Sequence, residues 1–348
     1  MYIFGELWSA VVINLMFWQF ANHIFDTEKA KRFYPILGMI GNVGLILAGN
    51  MLILFSDIAD ISIRELDQNF DHKAIVQPII LAIVFSGLLA MIFFRRINVL
   101  VLQDSSFKKD YSRAKEETKT QLSLKESFKL IINSKYIGHI VLMILCYGLL
   151  INILEGPWKA KIRELYPNTA DYIKFMGRFN IWMGIFSVTF MIIGSNILRN
   201  FSWLFSAALT PLMIAITGFG FFMFVLFASQ AQNWGYSFNP IYAAVLIGAV
   251  QNILSKSTKY SLFDSTKEMA YIPLSIELRT KGKAAVEVIG TKFGKSLGAF
   301  IQSSVFIFFP GATFDSITLY LLVIFILVII IWFWNIIKLN SEYLKLQK

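Results

Sequence analysis

From position 317 to 337 the chain reads ITLYLLVIFILVIIIWFWNII, 21 residues without a charge. About 20 apolar residues are what a helix needs to cross the hydrocarbon of a bilayer. The run has none of the strict alternation of a half-buried strand. A lone helix also satisfies its own backbone hydrogen bonds, which hydrocarbon cannot do for it. Eight further apolar runs occupy 4–25, 33–55, 74–94, 137–154, 172–194, 201–227, 240–254 and 284–309, and only 240–254 is short. Of the 348 residues, 56% are hydrophobic and 16% charged, with a mean hydropathy of +0.61. A soluble domain is about 45–50% apolar and about 25% charged. Disorder is excluded by the same figures. The single Cys146 leaves no disulfide scaffold and no cysteine-based zinc module. The start carries no charged n-region followed by a small-residue cleavage site, so no cleavable signal peptide is expected. The expectation is an all-α polytopic membrane protein with nine transmembrane helices.

Basic residues set the orientation of such a bundle. With nine spans the loops alternate; one set holds 23 Lys and Arg and the other 6, with Arg178, Lys292 and Lys295 inside runs. This split places the central loop and the C-terminus in the cytoplasm and the N-terminus outside. The net charge of +10 is then anchoring to anionic lipid headgroups, not a nucleic-acid footprint. The organisation expected is a partial three-helix bundle at 1–94, a cytoplasmic loop at 95–136 and a six-helix bundle at 137–348. Within the loop, Ser123-Leu-Lys-Glu126 reads as a capping box opening an amphipathic surface helix with Leu124, Phe128, Ile131 and Ile132 on one face. The segment 255–283 is also amphiphilic and is expected to cap the bundle on its cytoplasmic side.

Ionisable groups inside runs carry the most information, because each costs about 2.5–3.5 kcal/mol at a helix centre on insertion scales. Lys295 lies too deep in its run to reach either surface easily. Glu287, Thr291 and Lys295 recur every four residues and form one polar stripe; a ligand or ion pathway would explain it, as would a structural ion pair with another helix. Lys292 reads as a helper or an interface anchor. Gly290, Gly294 and Gly298 form a small-residue ladder that admits a close neighbour. GTKFGKS imitates a phosphate loop, but only three residues separate Gly290 from Gly294 and no strand precedes them, so no ATPase is expected.

Glu155 stands before Gly156-Pro157, a pair expected to break or bend the helix. Transporters use broken helices for binding or gating, and a plain helix-end carboxylate near the outer headgroups is the other reading. Glu6 poses the same choice, with Asn14, Gln19 and Asn22 continuing its polar side. Arg178, Asn42, Asn50, Asn152, Asn252 and Gln302 read as helix-packing polar groups. His23, His72 and His139 have no zinc spacing and no nucleophile arrangement exists, so no metal, cofactor or catalytic residue is expected.

Several stretches resemble the non-mitochondrial ATP/ADP translocases of plastids and obligate intracellular bacteria. They are GELWSAVVINLMFWQFANHI, EGPWKAKIRELYP with FMGRFNIW and IGSNILR, and the long SLFDSTKEMAYIPLSIELRTKGKAAVEVIGTKFGKSLGAFIQ. The resemblance runs nearly end to end. It implies a twelve-helix fold similar to major facilitator transporters, of which this chain looks like helices four to twelve. It also implies strict exchange of ATP and ADP, with Glu6, Glu155 and Lys295 matching membrane-embedded charges important for transport. Lys292, Glu287 and Arg178 are helper candidates read from their places within the runs, apart from the resemblance. A further family lysine lies in the earliest helices and has no counterpart here.

Three readings follow from that resemblance. The first is a nucleotide antiporter in a bacterial inner membrane, Lys295 attracting phosphate in a low-dielectric cavity. The second is a transport-inactive truncated paralogue, or a subunit requiring a separately encoded N-terminal portion. The third is a proton-coupled symporter using Glu6 or Glu155.

Overall fold

The computed structural model describes residues 17, 20–21, 27–66, 72–100, 134–233, 239–274 and 276–346. Among them there are helices and turns and no strand. The helices are α1 Thr27–Leu66, α2 His72–Leu100, α3 Lys135–Leu165, α4 Thr169–Asn200, α5 Trp203–Asn233, α6 Pro240–Thr258, α7 Asp264–Tyr271, α8 Ile276–Phe308 and α9 Phe314–Leu346, with a π-helical turn, Lys259–Phe263, joining α6 to α7. Six stretches are long and apolar enough to cross a membrane, namely Ile36–Ala59, Ile75–Val99, Lys135–Leu165, Thr169–Asn200, Trp203–Phe227 and Phe314–Leu346. In α8 the apolar part is Phe293–Phe308. The protein is an all-α polytopic membrane protein. Apart from Phe17, Phe20 and Ala21, which are helical, the run at 4–25 lies outside the described residues, as does the amphipathic helix expected from Ser123.

The helix starts are written locally. Ser134, Asn168 and Asn239 are N-caps whose side-chain oxygens accept from Ile137 N, Ala170 N, and Ile241 N and Tyr242 N respectively. Pro240 follows Asn239 as the first residue of α6, where its missing N–H is no loss.

The chain forms two compact units, residues 1–41 with 70–121, and residues 42–69 with 122–348. In the first, α2 presents Leu81, Phe85 and Phe93 outward and packs Phe94 against Phe20, ring centres 4.7 Å apart and planes tilted. An apolar surface of this extent suits hydrocarbon as its solvent. In the second, α3 is the central post. Ile137, Ile140, Leu150, Ile153, Leu154 and Ile162 on it are wholly buried, and α8, α9 and α6 surround it.

The glycine ladder makes the α3–α8 contact. A Cβ on Gly148 would stand 3.1 Å from the backbone of Gly294 and Lys295, and one on Gly294 would stand 3.0 Å from Leu145 O. Without side chains the two backbones touch, and dispersion and helix dipoles act at short range. Polar glue reinforces the seam, Gln302 Nε2 donating to Asn152 Oδ1 at 2.8 Å and to Asn152 O at 3.1 Å. The same device joins α1 to α4. Gly49 and Gly177 face each other, Ser56 Oγ donates to Ala170 O at 2.7 Å, and Lys174 pairs with Asp57 at 2.7 Å.

Two expectations about element ends are corrected. Gly156-Pro157 does not break the fourth run, for α3 continues through Pro157 to Leu165. A proline inside a helix loses one hydrogen bond and costs about 3 kcal/mol. Packing next to it offsets that cost. Trp158 is 1% exposed, lies against Gly248 and donates from Nε1 to Val245 O at 3.0 Å.

The second correction concerns the end of the 240–254 run, where the helix does not stop. From Pro240 the chain stays helical through the π turn to Tyr271, and Ser255, Ser257, Thr258, Ser261, Thr266 and Lys267 are buried within the bundle. The hydroxyls return their hydrogens to their own helix, Thr258 Oγ1 to Leu254 O at 2.9 Å and Thr266 Oγ1 to Leu262 O at 2.8 Å. Ser and Thr bonded in this way are tolerable in a buried helix although their hydropathy is low.

Candidate functional site

The continuous helix from Pro240 to Tyr271 places Lys256 sixteen residues from one end and fifteen from the other, at the middle of that helix. Side chains lean toward the N-terminus of their helix, so Lys256 reaches back along α6 toward α3. There its Nζ meets Glu155 Oε1 at 2.7 Å. The other carboxylate oxygen accepts from Lys159 Nζ at 3.0 Å, one turn along α3. Glu155 is thus shared by two ammonium groups, and the Phe179 ring on α4 lies 5.8 Å from Lys256 Nζ. The side chains of Glu155 and Lys256 keep 20% and 22% exposure, enough for water or a solute to reach the pair.

One turn beyond Lys256 a second group repeats the pattern. Lys259 Nζ donates to Asp264 Oδ2 at 2.9 Å, and Lys267 Nζ lies 3.8 Å from Asp264 Oδ1. The π turn Lys259–Phe263 separates Lys259 from Asp264. π turns inside α-helices occur preferentially at functional sites, where the extra residue re-aims side chains. Phe263 below it stacks on Tyr147 of α3, ring centres 5.0 Å apart. Asn252, one turn before Lys256, is 1% exposed; its Nδ2 donates to Gly248 O at 3.0 Å and its Oδ1 has no partner among the described residues.

Of the residues singled out from sequence, Glu155 sits in this cluster. Lys295 is on α8, its backbone against Gly148 and its side chain exposed. Arg178 is exposed on α4, next to Phe179, which faces inward. The side chains of Glu287 and Lys292 on α8, and the whole of Glu6, lie outside the described residues. No cluster of three or more His, Cys, Asp or Glu suited to a metal occurs among the described residues.

Lys256 was missed because it follows the point at which hydropathy falls, and so counted as loop. The signal was the spacing. Asn252, Lys256 and Lys259 recur four and three residues apart, a polar face of one continuing helix.

The sequence pattern of the TLC ATP/ADP transporter family matches residues 1–343. The chain belongs to that family. It is 66% identical to ADP,ATP carrier protein 3 of Rickettsia typhi over its whole length, covering 70% of that relative, and 66% identical to ADP,ATP carrier protein 3 of Rickettsia prowazekii over 99% of its length, again covering 70%. It is 43% identical to ADP,ATP carrier protein 1 of Rickettsia bellii, over 98% of this chain and 68% of the relative. No solved structure matches. As a TLC family member the chain is a transporter by descent and an integral membrane protein, and the lysine and carboxylate cluster of α3 and α6 brings charges of two described helices together inside the bundle.

Proposed function

We propose that this chain exchanges ATP for ADP across the inner membrane of a bacterium by alternating access, with the central loop and C-terminus in the cytoplasm. The observation that carries the reading is 66% identity over the whole chain to an ADP,ATP carrier. Identity at that level over the full length of the chain argues for the same cargo. The physical features agree with it. The substrates are polyanions, and the bundle holds lysines in excess of carboxylates around Glu155. No bond is made or broken. Nucleotide gradients drive the exchange, and catalytic groups are not required.

In this reading Lys295, Glu155 and Glu6 line the path of the nucleotide, with Lys292, Glu287 and Arg178 beside it. Lys295 adds positive charge where water is scarce and a charge acts over a longer range. The carboxylates neutralise lysines while the site is empty, so an unloaded carrier does not reorient. The three-part division at 1–94, 95–136 and 137–348 supplies the moving halves and their tether.

The test is uptake of labelled ATP by intact cells expressing the chain. The expected result is saturable uptake followed by loss of label when unlabelled ADP is added outside. Inserted protein, verified in the membrane fraction, that takes up no nucleotide overturns the proposal. Uptake abolished by an uncoupler and indifferent to counter-nucleotide would overturn exchange as its mechanism.

A further inference from the structure

Lys256 is held by Glu155 at 2.7 Å in the middle of a helix that runs uninterrupted from Pro240 to Tyr271. A buried ion pair alone is weak evidence of function, since structural pairs also occur. Three further observations separate this one from a structural clamp.

First, charge does not balance. Glu155 is bonded by both Lys256 and Lys159, at 2.7 and 3.0 Å, so this triad carries one positive charge more than its carboxylate neutralises. A low-dielectric site with such an excess attracts a further anion. Second, the pair is reachable. Both side chains keep about a fifth of their surface, 20% and 22%, although Ile253, Ser255 and Ser257 around Lys256 on α6 are buried. Third, the helix changes form at this place. Lys259 begins a π turn three residues after Lys256 and is itself held by Asp264 at 2.9 Å. Two lysines one turn apart on a single face are thus each tied to a carboxylate, and both carboxylates occupy positions that a phosphate oxygen can take.

We propose that Lys256 is a phosphate-binding residue of the carrier, held by Glu155 while the site is empty and released to the phosphate oxygens of an entering nucleotide, with Lys259, at the start of the π turn, as the second cation. This deepens the ATP/ADP exchange reading and rests on it. An ammonium has three donors and no fixed fork, so Lys256 can leave one oxygen acceptor for another by rotating its stem. Glu155 left by Lys256 keeps Lys159 and is not stranded. The competition gives Glu155 a definite role. It is the internal anion that nucleotide must displace.

The experiment measures nucleotide binding to the purified full chain by isothermal titration, and exchange in liposomes loaded with ADP, for the wild type, Lys256→Gln, Lys256→Arg, Glu155→Gln and the double variant Glu155→Gln with Lys256→Gln. Lys256→Gln should weaken ATP binding and raise KM by tenfold or more, and Lys256→Arg should stay within a few-fold of wild type. Glu155→Gln should tighten binding several-fold because the competitor is gone. The double variant decides between substrate contact and structural pair, because it removes both charges and leaves neither stranded. If Lys256 holds phosphate, the double variant keeps the weak binding of Lys256→Gln even where its unfolding temperature returns to that of the wild type. Recovery of wild-type affinity in the double variant makes the pair structural and overturns the inference. Unaltered affinity in Lys256→Gln overturns it too. Wild-type protein that binds ATP without exchanging it overturns the exchange reading and leaves the binding comparison to judge Lys256. Wild-type protein that binds neither ATP nor ADP overturns both.

Discussion

Glu155 was visible in the sequence as an acid at the end of an apolar run, and its partner was not. A hydropathy window averages over neighbours, and Ser255, Lys256, Ser257, Thr258 and Lys259 together lower the average below that of a span. What the window cannot register is that Thr258 gives its hydroxyl hydrogen to Leu254 O and that Lys256 arrives at a carboxylate from another helix. Pairing is a tertiary fact. The energy at stake is considerable. Removing one member of a fully buried pair costs about 3–5 kcal/mol because the other charge is stranded. Here each side chain is about a fifth exposed and water screens part of that, so Lys256→Gln should destabilise by on the order of 2 kcal/mol. Adding Glu155→Gln should restore most of the loss. Thermal unfolding of the four proteins in one detergent measures the coupling, and additive losses in the double variant would show that the two groups do not interact.

At the scale of elements, the glycine ladder could be read directly, because small residues every fourth position on an apolar helix signal a close neighbour. The identity of the neighbour could not. It is α3, through Gly148, itself unremarkable in sequence. Gly148→Ala should therefore destabilise by about 1–3 kcal/mol, the usual range for overpacking a close contact, since its Cβ would meet Gly294 and Lys295 backbone at 3.1 Å and backbone cannot rotate away. Gly220→Ala on α5 meets nothing within 4 Å and should change stability little, or raise it by a few tenths of a kcal/mol through the better helix propensity of alanine. Equal unfolding temperatures for the two variants would contradict the α3–α8 contact. The helix break read as one outcome of Pro157 does not occur, for a reason of the same kind. Pro157 was judged by its local cost, whereas Trp158 against Gly248 on α6 decided the outcome.

At the scale of the molecule, the second unit's own contacts fix the relative direction of its helices. Tyr136 OH donates to Ala270 O at 2.6 Å, Trp203 Nε1 donates to Thr266 O at 3.0 Å, and Trp203 stacks on Tyr343 with ring centres 5.3 Å apart. The starts of α3 and α5 therefore share one end of the bundle with the ends of α7 and α9. At the opposite end Lys161 of α3 pairs with Asp315 of α9 at 2.9 Å. Such alternation is what counting loops requires. Which end faces the cytoplasm depends on charge alone, and here the fold revises the count. Lys256, Lys259 and Lys267 belong to the bundle and not to a loop, which lowers the basic set from 23 to 20 against 6. The bias survives because the central loop supplies half of it, and each basic residue near the headgroups contributes about 1 kcal/mol toward the anionic cytoplasmic leaflet. That bias predicts that the end holding Tyr136, Trp203 and Tyr343 faces the cytoplasm. Single cysteines placed in a Cys146→Ala background test it, Pro167→Cys between α3 and α4 and Ser341→Cys near the end of α9. A membrane-impermeant maleimide should label Pro167→Cys in intact cells, and Ser341→Cys only after permeabilisation. The reverse pattern would mean that the basic loops face outward.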